Sequence, residues 1–70
     1  MAEKRSIRDW ERLGSEAQCE DARAGILDPI AVSELAEILE DHFSVDLEDL
    51  SDSQRMEAVR ALVSGYRNGA

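Results

Sequence analysis

The sequence predicts an all-α domain, a small three-helix bundle with four helices as the alternative. Three observations predict it: apolar residues recur at spacings of three and four in separate segments, helix start signals stand ahead of those segments, and no alternating stretch is long enough to build a sheet. At 70 residues the chain is short for more than one domain, so residues 1–70 read as a single helical unit. Its apolar fraction of 43% includes nine alanines, and Trp10, Phe43 and Tyr66 are the only aromatic residues, which predicts a thin core.

The first helix starts at Ser6, an N-cap with Asp9 three residues on, and aligns Ile7, Trp10, Leu13 and Ala17 on one face. Gly14 weakens its later half, and the polar stretch from Ser15 to Gly25 is expected to be a frayed end or a loop. A second helix is expected from Pro29 to Phe43. Asp28 supplies the cap, Pro29 suits the first helical position, and Ala31, Leu35, Ile38, Leu39 and Phe43 form the apolar stripe. Its opposite face shows Glu34, Glu37, Glu40 and Asp41, making the helix amphipathic with an anionic outer side. Ser44 to Leu50 alternates and is expected as an extended connection pinned by Val45, Leu47 and Leu50. The last helix starts at Ser51 with Gln54 three residues on, and carries Met56, Val59, Leu62, Val63 and Tyr66 inward. Gly65 and Asn68-Gly69 signal its end.

The net charge is −8 and unevenly placed. Leu13 to Gln54 holds twelve acids against Arg23 alone, while the flanking segments are slightly basic. Such a field repels nucleic acid and anionic membrane and attracts basic protein patches. No apolar run exceeds four residues, so no membrane-spanning helix is expected. Cys19 is the only cysteine, and the opening stretch MAEKRSIRDW lacks the apolar core of a secretory signal, so a cytoplasmic protein is expected.

Catalysis requires convergent groups, and the chain offers one imidazole, His42, beside Asp41 on the acidic helix. His42 reads as a solvated side chain. The acidic run from Asp46 to Asp52 lacks the glycine and closing glutamate of a calcium loop, and no glycine-rich phosphate loop is present. No enzyme, metal or cofactor is expected from these residues.

The stretch Gly25-Ile26-Leu27-Asp28-Pro29-Ile30, followed by Glu34-Leu35, Leu39-Glu40 and Phe43-Ser44-Val45-Asp46-Leu47, resembles the second half of acyl and peptidyl carrier proteins. The likeness covers residues 25–63 and weakens after Leu50. It implies a four-helix carrier topology and an acidic second helix that docks on basic patches of partner enzymes through Glu34, Glu37, Glu40 and Asp41. It departs where the family places the serine that carries 4′-phosphopantetheine, because Pro29 stands there and has no hydroxyl. The N-terminal region is also shorter than the family's. The expected function is therefore a non-catalytic, carrier-like interaction module on a basic protein surface. The alternatives are an acidic inhibitor that mimics nucleic acid on its partner, and a true carrier attached elsewhere, with Ser33 one turn on. Trp10 is expected in the core, and a homodimer paired through an exposed Ile7 and Trp10 is a further alternative.

Overall fold

The computed structural model describes residues 5–25 and 30–69. Four helices follow in order: α1 (Ile7–Arg23), α2 (Val32–His42), α3 (Ser44–Leu47) and α4 (Asp52–Asn68). Among the described residues there is no strand. This is the all-α class expected, in its four-helix form.

Both capping boxes form as the sequence suggests. The Ser6 hydroxyl accepts from the Asp9 N–H and the Asp9 carboxylate accepts from the Ser6 N–H at 3.0 Å. Ser51 and Gln54 repeat the arrangement at the start of α4. The Ser6 hydrogen bonds hold the Asp9 carboxyl below its ordinary pKa, with Arg12 and Arg5 adding a smaller effect.

The main packing is α1 on α4. Ser15 donates to the carbonyls of Gly65 at 3.1 Å and Gly69 at 3.4 Å, and the Tyr66 hydroxyl donates to Asp21 at 2.5 Å. Contacts advance together along both helices, from Ile7 and Trp10 beside Gln54 and Ala58, through Gly14 beside Leu62, to Gln18 beside Gly69, so the two long helices run parallel. The facing surfaces are built from small residues, Gly14 and Ala17 on α1 against Ala58, Ala61 and Gly65 on α4, all buried. Two glycines set the approach. A Cβ on Gly14 would stand 2.9 Å from the Leu62 carbonyl carbon, and one on Gly65 would stand 2.7 Å from that of Glu11, both closer than real Cβ atoms come. Backbone thus meets backbone at this crossing.

Three expectations are corrected here. The stretch after Gly14 is helix as far as Arg23, because Ala17 is buried, Ser15 and Asp21 are tied to α4, and the helix stops only where Gly25 takes φ 75°. Ser44 to Leu50 is not extended. Leu47 and Leu50 turn inward at a spacing of three, the Leu47 N–H donates to the Phe43 carbonyl, and Val45, expected to pin the segment, is 80% exposed. Gly65 lies inside α4 rather than ending it; the stop is Gly69, at φ 73°.

The expected cap pair Asp28-Pro29 lies outside the described residues. Helix α2 is described from Val32, with Ala31 at the N-cap and no side-chain cap bond. Leu35 and Leu39 bury against α4 together with Leu47, while Ile38 and Met56, expected inward, are 51% and 61% exposed. Trp10 is buried, and the Arg5 guanidinium lies 5.3 Å from its ring centroid. The same Arg5 pairs with Asp46 at 2.9 Å, joining the start of α1 to α3.

Candidate functional site

Helix α2 turns Leu35 and Leu39 toward α4, and its 3.6-residue period then places Glu34, Glu37 and Asp41 away from the core. All three are exposed, and among the described residues none has an ion-pair partner. Their spacings of three and four stack like charges along one stripe, an arrangement that destabilises a helix by about 0.2–0.5 kcal/mol per pair. Glu34, in the first turn, recovers part of this through the partial positive charge of an otherwise uncapped helix start.

Glu40 behaves differently from its neighbours. It is half-buried and ion-paired to Arg55 of α4, so it fastens α2 to α4. The four-carboxylate row read from the sequence is three solvated carboxylates plus one structural anchor. Glu37, Glu40, Asp41, Ser44 and Arg55 surround an open depression of about 340 Å³ at the seam between the two helices. Arg55 was invisible to a reading by helix faces, because its contact with Glu40 joins separate elements and leaves no short-range spacing.

The remaining candidates are simply placed. Pro29, which stands at the carrier serine position, lies outside the described residues. Ser33 is exposed on the first turn of α2. His42 is exposed and meets Phe43 edge-on, with ring centroids 4.8 Å apart. Cys19 is exposed on α1. Among the described residues no three His, Cys, Asp or Glu side chains converge as a metal site would require, and no helix is long and apolar enough to cross a membrane. Trp10 is buried within its own chain, as its place on the apolar face of α1 predicts, so the alternative of a dimer contact through its exposed ring is excluded, and Ile7 beside it is half-exposed.

Comparison with models of known protein families, with curated proteins and with solved structures returns no match.

Proposed function

We propose that this chain is a non-catalytic protein–protein interaction module that docks on a basic partner surface through the outer face of α2. The observation that carries the reading is the row Glu34, Glu37 and Asp41: three solvated carboxylates whose mutual repulsion costs the helix stability and which form no ion pair among the described residues. A cationic partner removes that repulsion on binding. The surrounding charge supports it, with twelve acids against one arginine between Leu13 and Gln54. Such a field steers a basic partner toward this side of the molecule. The order long helix, second helix, short helix, long helix is also in keeping with the four-helix topology that the carrier-protein resemblance implies.

The test is affinity capture from the native host lysate with the unaltered chain and with Glu37→Lys combined with Asp41→Lys. The pair lies on the solvent side, so circular dichroism stays unchanged while the captured protein is lost. Equal capture by both chains contradicts the reading. If the captured protein is a nucleic-acid-binding protein and added nucleic acid displaces the chain, the same surface acts as a mimic of nucleic acid.

A further inference from the structure

We propose that the open face of α4 pairs two copies of this chain about a two-fold axis at Met56. Asp52, Arg55, Met56, Val59 and Arg60 fall at i, i+3, i+4, i+7 and i+8, a single helix face, and with Glu40 they line a groove of about 410 Å³. Among the described residues no element covers Met56, which is 61% exposed, whereas Ala58, Ala61, Leu62 and Gly65 are buried.

The charges on this face are self-complementary. When two copies of α4 lie antiparallel with Met56 against Met56, a residue four positions before it meets the residue four positions after it on the other copy. Asp52 then faces the other copy's Arg60 on both sides of the axis, which is the mutual pairing that an isologous interface requires. Arg55 is already neutralised by Glu40 within its own chain, so it adds no repulsion across the axis. Helix α4 also escapes the acidity of the whole: Arg55, Arg60 and Arg67 stand against Asp52 and Glu57. The partner that fits an apolar centre flanked by one acid and one base in this register is a second copy. The interface is one helix wide, narrower than the roughly 800 Å² per partner of standard complexes, so the pairing is weak.

The test is sedimentation of the full chain over a concentration series up to about 1 mM. The unaltered chain dimerises. Arg60→Asp sets acid against acid at both ends and Asp52→Arg sets base against base, so each alone raises the dissociation constant about tenfold or more. An equimolar mixture of the two variants restores opposite charges at both ends and recovers a heterodimer. Met56→Glu, which leaves both charges in place, also dissociates the pair, and circular dichroism verifies each fold. A chain that stays monomeric throughout overturns the proposal, as does a dimer insensitive to these substitutions or a mixture that fails to recover.

Discussion

Replacing Gly14 with alanine probes the crossing of α1 and α4 directly. On an open helix surface this substitution stabilises by about 1 kcal/mol, because alanine loses less backbone freedom on folding than glycine. At Gly14 the new methyl group would sit 2.9 Å from the Leu62 carbonyl carbon and closer still to its oxygen, where ordinary contact begins at 3.4 Å. The obstacle is main chain inside a helix and cannot rotate aside, so the helices must separate by on the order of 1 Å, with loss of contact along the whole small-residue seam. Overpacking of this kind costs about 3 kcal/mol. After the propensity gain, a net loss of about 2 kcal/mol remains. A domain of this size holds about 3.5–10 kcal/mol in total, and 2 kcal/mol corresponds to a fall in Tm of about 8–16 °C. Urea and thermal unfolding followed by circular dichroism measure it. Gly65→Ala, placed against the Glu11 backbone, produces a loss of similar size, and the double variant loses less than the two singles together, since one separation serves both. A neutral or stabilising Gly14→Ala would refute the backbone contact.

Two further outcomes follow from the caps and the buried tyrosine. Ser51→Ala removes the cap of the core helix α4 and costs about 1 kcal/mol, as a drop in urea midpoint with an unchanged slope shows. Donation to Asp21 pushes the Tyr66 phenol up to about 12 from 10.0, so the unfolded chain loses this proton first. Its stabilisation is complete below pH 10 and disappears as pH rises toward 12; near-ultraviolet absorbance of the single tyrosine reports the midpoint, and Asp21→Asn returns it toward 10. The acid limb runs the other way: the lowered Asp9 carboxyl stabilises the fold above its ordinary pKa of 3.8 and ceases to do so as pH falls through its folded value.

What the sequence discloses is what acts locally. Both capping boxes depend on residues three apart and were legible, as were the inward positions of Trp10, Leu35, Leu39, Leu62 and Tyr66, which follow from periodicity. Gly14 and Gly65 carry the opposite signal in the sequence, because a glycine inside a helix looks like a weak point when each helix is taken alone. Their purpose is visible only once the two helices are side by side. The signal that pointed to it was present: Gly14 and Ala17 on one helix and Ala58, Ala61 and Gly65 on the other are small residues at spacings of three and four, the pattern of closely approaching backbones. The segment after Phe43 is ambiguous in sequence for another reason. Its apolar residues satisfy a period of two at Val45 and Leu47 and a spacing of three at Leu47 and Leu50, and burial of the second pair decides the outcome. At the candidate site, the outward carboxylates of α2 were legible from the same periodicity. The separate position of Glu40 depends on Arg55 of α4, a tertiary contact with no sequence signature.

The central claim is that Glu34, Glu37 and Asp41 form the docking surface, and amide chemical-shift mapping of the isotope-labelled chain tests it most directly. Adding the captured partner is predicted to perturb the amides of α2 around these residues, and raising the salt concentration to reverse the change. Perturbations confined to α1 or α4, or none at partner saturation, would contradict it.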